Sequence, residues 1–455
     1  MSTILITTIN RIRDIWVIGY WLNVNRRLTL PTFLAYALLS STPNVLANNG
    51  SEEPLELSKA IDIAVRDNPN LAEIDSRFQS LSLLPAQQRA LPDPMIHLNA
   101  MNFPVDTFDR EQEPMTQLQI GISQSLPFPG KLRLKGEIAE LMAKVAEQNL
   151  AEARLQLIKK VKDTWWQLYY LDRALETINQ TQVLLEQFIT VAQTKYETGK
   201  GLQQDVLLSQ LELSRLLDRR IQLLAARQTQ SIGFNLLMNR ASESAILLPP
   251  DVTREIPNLR STEALYDLAE NNRPLLKLVQ HRLDAAETRL TLAQRNYYPN
   301  FNLGLMFGER TGENPGNGDK RADLVTLMLG VKVPLYAGQK QSQAVALMSK
   351  ELESNQYSVQ DKQEEVRSQI SAAVVDFRRA QEQYLLFSSG IVPQATQTVE
   401  SMLAGYQVNV VDFLNLVRSQ VTLFNYELQY WQALAEANQA LARIQAAVGT
   451  ESVYE

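Results

Sequence analysis

Hydrophobic and polar residues follow two different rhythms along this chain. In four short segments they alternate one for one. Leu118, Ile120 and Ile122 are interleaved with Gln117, Gln119, Gly121, Ser123 and Ser125, and Val325, Leu327, Leu329, Val331 and Val333 with Thr326, Met328, Gly330 and Lys332. A period of two sends successive side chains to opposite faces of a strand, so strands are predicted over 95–102, 115–126, 300–307 and 324–335. Elsewhere the spacing is three and four, as in Leu150, Ala153, Leu157, Val161 and Trp165. That spacing, in segments rich in Ala, Leu, Gln, Glu and Lys, predicts coiled-coil rods over 131–198 and 340–403. At 1.5 Å per residue, roughly 65 residues make a rod of about 100 Å. A helix is also predicted over 57–89 and again over 262–295, each ending before a proline that cannot continue it.

The chain repeats itself once. Asn68-Pro69 recurs as Arg273-Pro274, and Asp93-Pro94 as Tyr298-Pro299, at a spacing of 205; Gly121 recurs as Gly330 at 209 and Tyr196 as Tyr406 at 210. Each copy has the order helix, two strands, long helix, second helix. The length differences fall mainly in the segments 103–114 and 308–323, read as the long loops between paired strands, where insertions are cheapest. The expected organisation is a leader over 1–47, a first repeat over 48–257, a second over 258–449 and a tail over 450–455. The leader is read as an export signal, because Arg26-Arg27 precedes an apolar core from Leu28 to Leu39 and Val45-Leu46-Ala47 offers small residues around a cut.

Four amphipathic strands beside such rods lack a soluble layer to cover their apolar side. A membrane-facing wall is therefore expected. Four strands cannot close a barrel, and open edges are not tolerated in hydrocarbon, so the chain must oligomerise: two copies give 8 strands and three give 12.

Composition narrows the chemistry. Among 455 residues there are 44 Lys and Arg against 50 Asp and Glu, a formal charge of -6, with no cysteine and two histidines, His97 and His281. An acidic balance argues against nucleic acid as a partner. The absence of cysteine removes disulfides, thiolate metal sites and cysteine nucleophiles. No catalytic set stands out, so neither an enzyme nor a cofactor is expected. Met95, Met101, Met115 and His97 invite a copper reading through soft thioethers; strand packing and lipid contact are the expectation for them instead, and no metal site is assigned.

The duplication, the strand-to-helix junctions Gln124-Ser125-Leu126-Pro127-Phe128-Pro129-Gly130-Lys131 and Val333-Pro334-Leu335-Tyr336-Ala337-Gly338, and the two tips Tyr196-Glu197-Thr198-Gly199 with Asp205-Val206-Leu207 and Tyr406-Gln407-Val408-Asn409 with Asp412-Phe413-Leu414 together resemble the outer-membrane efflux duct family typified by TolC. Within it, Asp93-Pro94-Met95, Gln112-Glu113-Pro114-Met115 and the Pro-Phe-Pro-Gly-Lys junction look most like the heavy-metal branch, serving copper/silver or cobalt/zinc/cadmium. The resemblance implies a mainly α protein with a membrane β-barrel: a homotrimer with a 12-stranded barrel in outer-membrane lipid, continued by a long α-helical tunnel in the periplasm. Implied partners are a periplasmic adaptor (membrane fusion) protein and a proton-driven inner-membrane pump. A multidrug or type I secretion duct of the same fold is the alternative. A periplasmic coiled-coil adaptor is less favoured, since it calls for a lipoyl-like domain that the sequence lacks.

Candidate residues fall in two groups. Pro127, Pro129, Gly130, Pro334 and Gly338 mark the junctions. At the tips, Gly199 and Asn409 correspond, and both residue types tolerate the left-handed backbone of a helix reversal. The resemblance implies a mouth closed by acidic residues near the second tip. Here Asn415 and Arg418 stand where those acids are expected, Asp412 lies about one turn earlier, and Asp205 matches Asn415 at the spacing of 210.

Overall fold

A computed structural model describes residues 54–454. The segment read as an export signal lies outside the described residues. The chain begins with three short helices, α1 (Leu57–Asp67), α2 (Pro69–Ser82) and α3 (Leu84–Arg89), followed by strands β1 (Met95–Met101) and β2 (Gln117–Leu126). The rod α4 (Lys131–Glu197) and its return helix α5 (Gln203–Leu237) complete this half. The same order then recurs: α6 (Thr262–Asn272), α7 (Pro274–Arg295), β3 (Asn300–Glu309), β4 (Leu324–Lys332), α8 (Gln341–Leu386), α9 (Val392–Gln407) and α10 (Phe413–Val448).

The helices expected to run unbroken over 57–89 and 262–295 are interrupted. The breaks fall at Asn68-Pro69 and Arg273-Pro274, where each proline starts a new helix, and at Leu83, before the short helix that carries Pro85 in its first turn. A proline has no N–H for the preceding turn and its ring collides with the carbonyl four residues back, while the first helical position suits it. Asn68 adds a side-chain cap to the backbone N–H groups of Asn70 and Leu71. The first rod is continuous for 67 residues. The second extends to Gln407 and passes through a π-helical turn, Phe387–Ile391, that holds one residue more than regular α-helix accommodates. Before this turn the two rods bury equivalent residues at a spacing of 209, as in Val161 and Ile370 or Leu168 and Phe377; beyond it, Tyr196 and Tyr406 correspond at 210.

The rods pack on the return helices along the predicted stripe, the first against α5 and α10 and the second against α10. Leu157, Val161 and Trp165 are buried, and Leu150 and Ala153 lie against the same cluster with Tyr169, Phe234, Met238 and Leu434. Trp165 stacks on Tyr169 at 5.7 Å and gives its indole N–H to the Leu55 carbonyl, so the bulky ring buries its area without orphaning its one polar atom. A second cluster runs toward the tips through Ile178, Phe188, Leu216, Tyr406, Phe413 and Leu416. A third, around Leu265, Ile370, Phe377 and Ile444, takes in Val453 of the tail, which is pinned by the bridge between Leu259 and Tyr454.

The strands form one antiparallel sheet in the order β1-β2-β3-β4. Register aligns Ile96, Ile122, Leu305 and Leu327 across it on one face, and His97, Gly121, Met306 and Thr326 on the other. Among the described residues no helix is long and apolar enough to cross a membrane.

Candidate functional site

The sheet carries its burial inside out. On the apolar face Ile96, Leu98, Ile120, Leu327 and Leu329 are exposed, Leu327 to 77%, while on the polar face Gln117, Gln119 and Ser123 are buried, Gln119 at 8% exposure. A soluble half-buried sheet shows the opposite, because covering apolar area is what drives its packing. Here the polar side chains crowd one another, as on the inside of a curved wall. Both outer edges, those of β1 and β4, lack a strand partner among the described residues.

Met95 and Met101 lie on the polar face, in register with Ser123 and Gln117. The expectation of lipid contact is therefore corrected for these two. Alternation from His97 and Asn99 fixes their side, and their hydrophobicity does not. Met115 precedes β2 and is exposed, its carbonyl accepting from Asn102 Nδ2.

At one end of the sheet two loops interlock. Arg321, buried at 8% exposure, donates through Nη1 to the carbonyls of Glu111, Glu113 and Thr311 and through Nε to that of Glu313. Arg110 pairs with Glu309 at 3.0 Å. At the other end lie the junctions. Pro127 and Pro129 flank Phe128, which stacks on Tyr298 at 4.6 Å. Gly130, at φ 90, leads into α4. The first residue of that helix, buried Lys131, donates from Nζ to the Tyr298 carbonyl and Asn300 Oδ1, each at 2.9 Å. Burial holds its pKa below the usual lysine range, helped by nearby Lys135. The second junction, with Pro334 and Gly338, is more open: Leu335 and Tyr336 are exposed, and the Gly338 carbonyl accepts from Ser342 Oγ.

At the far end of the rods, the two tips have the same backbone design. Gly199 has φ 69 and Asn409 φ 63. Gly199 N–H bonds to the Tyr196 carbonyl and Lys200 N–H to that of Lys195; Asn409 N–H bonds to the Tyr406 carbonyl and Val410 N–H to that of Gly405. Each rod thus closes on the paired bonds that satisfy the last carbonyls of a helix ending in a left-handed residue. Lys195 joins the tips. Its Nζ donates to the Tyr406 carbonyl and to Asn409 Oδ1 and lies over the Tyr406 ring.

Asp205 and Asn415 both occupy the third position of their helices, but only Asp205 is buried. Burial pushes the Asp205 carboxyl above the usual range, its backbone bond at Leu202 opposes this, Asp412 adds to it and Lys195 opposes it. The same neighbourhood pushes the Tyr406 hydroxyl up to about 12, first through burial and then through Asp205 and Asp412. Asp412, Asn415 and Arg418 are exposed along one side of α10. The structure therefore brings Asp205, Asp412, Lys195 and Tyr406 together and leaves Asn415 and Arg418 on the outside of that group. Lys195 and Arg321 are not singled out by the sequence, and Lys131 stands there only as the end of its junction motif, since their partners lie in the other half of the chain or in an irregular loop.

Comparison with known proteins gives one answer. The cobalt-zinc-cadmium resistance protein CzcC of Cupriavidus metallidurans is 20% identical over 436 residues, covering 93% of this chain and 100% of that protein. An uncharacterized protein of Haemophilus influenzae is 24% identical over 188 residues, 41% of each chain. The outer-membrane channel OprN superposes with a TM-score of 0.73 at 16% identity over 86% of this chain and 89% of its own. The outer membrane protein VceC of Vibrio cholerae gives 0.72 at 16% identity over 87% of this chain and 96% of its own. The family formed by such channels is non-enzymatic. Its profile matches residues 60–240 and 265–450, and the chain belongs to the outer membrane efflux protein family.

Proposed function

We propose that this protein is the passive exit duct of a tripartite efflux system, a homotrimer whose subunits each contribute four strands to a 12-stranded barrel in the outer membrane. The carrying observation is the inverted sheet with two open edges. Exposed aliphatic side chains face acyl tails, the crowded polar face lines water, and β1 of one copy pairs with β4 of the next, since unpaired backbone groups cost several kcal/mol each in hydrocarbon. The rods extend the conduit into the periplasm. An adaptor protein and a proton-driven inner-membrane pump supply the cargo and the energy.

The cargo in this reading is heavy-metal cations, supported by the full-length similarity to a cobalt-zinc-cadmium resistance protein. Residues 1–47 serve as the export signal, residues 48–257 and 258–449 as the two duct repeats, and 450–455 as a tail. The tips form the periplasmic mouth, with Gly199 and Asn409 making the reversals, Asp205 and Asp412 supplying its acids, and Asn415 and Arg418 facing neighbouring helices. Pro127, Pro129, Gly130, Pro334 and Gly338 set the turn from barrel into tunnel.

The test is deletion of the gene followed by growth on graded copper, silver, zinc, cobalt, cadmium and several drugs, with the detergent-solubilised protein sized in parallel. Metal sensitivity and a trimer are expected. Drug sensitivity alone reassigns the duct to multidrug export, and a stable water-soluble monomer overturns the duct.

A further inference from the structure

The two open edges of the sheet carry opposite charges at the same end, where strands give way to helices. β1 starts there and β4 finishes there, Met95 pairing with Ser123 near the end of β2 and Lys332 with Asn300 at the start of β3. Within the four strands, Lys332 and His97 are the only ionisable residues on the polar face. Two more lysines gather around Lys332. Its cross-strand neighbour Asn300 accepts from Lys131 Nζ at 2.9 Å, and Lys131, Lys332 and Lys340 line one cavity of 380 Å³ with Tyr298 and Asn300. No carboxylate among the described residues lines it. Neither Lys332 nor Lys340 has an ion pair or a side-chain hydrogen bond among the described residues. Like charges collected around one cavity repel, so an anion beside them is stabilising.

At the opposite edge Asp93, two residues before β1, is exposed and equally without an ion pair or side-chain hydrogen bond among the described residues. Its segment is tied to its own sheet, since Gln124 Nε2 donates to the Pro92 carbonyl at 2.6 Å. Alternation continued back from Met95 puts Asp93 on the polar side.

When β1 of one copy lies antiparallel along β4 of the next, two conditions fix how they meet. Polar face must continue into polar face, so Met95 stands opposite Thr326, Met328, Gly330 or Lys332. All seven residues of β1 must also find partners within the nine of β4, Leu324–Lys332, because hydrocarbon does not tolerate unpaired backbone groups. Only two registers meet both conditions, with Met95 opposite Gly330 or opposite Lys332. The first puts Asp93 directly across from Lys332, at a Cβ separation of about 5 Å; the second puts it across from Pro334 and diagonal to Lys332 at about 7–8 Å, within reach of a long side chain.

We propose that the partner subunit's Asp93 is the counter-ion of Lys332 and its neighbouring lysines, an ionic clasp that closes the barrel at its tunnel end and sets the register of the joint between copies. This rests on the oligomeric-barrel reading above. The lysine cavity is complete only when a second copy supplies the carboxylate, and the acid that fits it stands at the other edge of the same chain.

The chain has no cysteine, so an introduced pair reports on one contact alone. In the detergent-solubilised full-length protein, Asp93→Cys with Lys332→Cys is expected to give dimer and trimer bands on denaturing gels after treatment with a short bifunctional maleimide, whereas each single variant runs as a monomer. Charge is tested separately. Asp93→Lys and Lys332→Asp are each expected to lower the temperature at which the oligomer dissociates, and the double variant to regain most of that loss. A protein that sizes as an oligomer yet gives no bridged product, or a double variant that loses as much as the two single changes together, overturns the clasp and leaves the duct standing. A loss confined to Lys332→Asp gives the lysine cavity to another anion and likewise overturns it. A protein that sizes as a monomer removes the duct, and the clasp falls with it.

Discussion

Lys195 Nζ sits 4.0 Å from the centre of the Tyr406 ring and 2.7 Å from Asn409 Oδ1, tying the first tip to the second across more than two hundred residues of chain. A cation held by an aromatic face, a carbonyl and an amide fixes the relative position of two reversals that share no backbone. Lys195→Met keeps the aliphatic stem and removes the ammonium, a loss of about 1–2 kcal/mol at a partly exposed site. Longer open times are expected in planar-bilayer conductance. Asn409→Gly keeps the left-handed turn but drops one acceptor, and is expected to fall between wild type and Lys195→Met.

The tip also carries a pH dependence with a definite sign. Asp205 has its folded pKa raised, chiefly by burial, with Asp412 adding to the rise and Lys195 opposing it. A group that binds its proton more tightly when folded stabilises the packed tip fully below its unfolded pKa, and that contribution is lost as pH rises through the folded value. Tip packing is therefore expected to tighten on mild acidification, read as slower amide exchange over residues 203–210. Asp205→Asn should keep the slow exchange at neutral pH and flatten the profile. An unchanged pH profile in that variant assigns the titration to another group.

Much of this architecture is written locally. The alternation of Ile120 with Gln119 and Gly121 gave β2 to within two residues, and the three-four stripe ending at Trp165 gave the first rod to within one, because burial on one face leaves a period that the sequence keeps. What was not legible depends on partners far away. The break at Asn68-Pro69 is the exception: it lies between helix-forming residues on both sides, and its local sign is Pro69, since a proline inside such a pattern is a boundary signal. The single extra residue of the second repeat was visible as a spacing of 210 against 209, but only the backbone shows that the turn at 387–391 absorbs it. For the tips, residue type indicated Gly199 and Asn409, whereas nothing near Lys195 in sequence names Tyr406. The side occupied by Met95 was available from its alternation with Ile96 and His97, and hydrophobicity pointed the other way.

Arg321 organises the loop end of the sheet. Its guanidinium satisfies carbonyls from both loops, three of them through Nη1, so truncation leaves buried acceptors without donors at roughly 1–3 kcal/mol for each group that water cannot reach. Arg321→Ala is expected to expose residues 311–320 to proteolysis while leaving the protein folded. Arg321→Lys, with a single charged centre in place of a planar fork, should restore only part of the resistance. Equal protease resistance in all three proteins would show that the loops hold together without it.

Two glycines in left-handed backbone separate conformational strain from crowding. Gly199 has φ 69 and open space where a Cβ would go, whereas Gly449 has φ 84 and a Cβ there would stand 2.9 Å from Arg273 Cα and from the carbonyl carbon and oxygen of Asn272. Gly199→Ala therefore carries the left-handed penalty alone, about 1–2 kcal/mol. Gly449→Ala carries that and must also displace the backbone at the start of α7, adding roughly 1–3 kcal/mol of overpacking. Because Gly449 closes α10 against the Arg273-Pro274 break, the displacement is transmitted to two helices at once. Thermal unfolding of the detergent-solubilised protein is expected to show a clearly larger loss for Gly449→Ala than for Gly199→Ala. Gly199→Asn should restore most of the smaller loss, as Asn409 already serves in the other tip, while Gly449→Asn should restore little. Equal losses at the two positions would mean that the contact with Asn272 and Arg273 relaxes freely, and that the end of α10 does not hold the start of α7 in place.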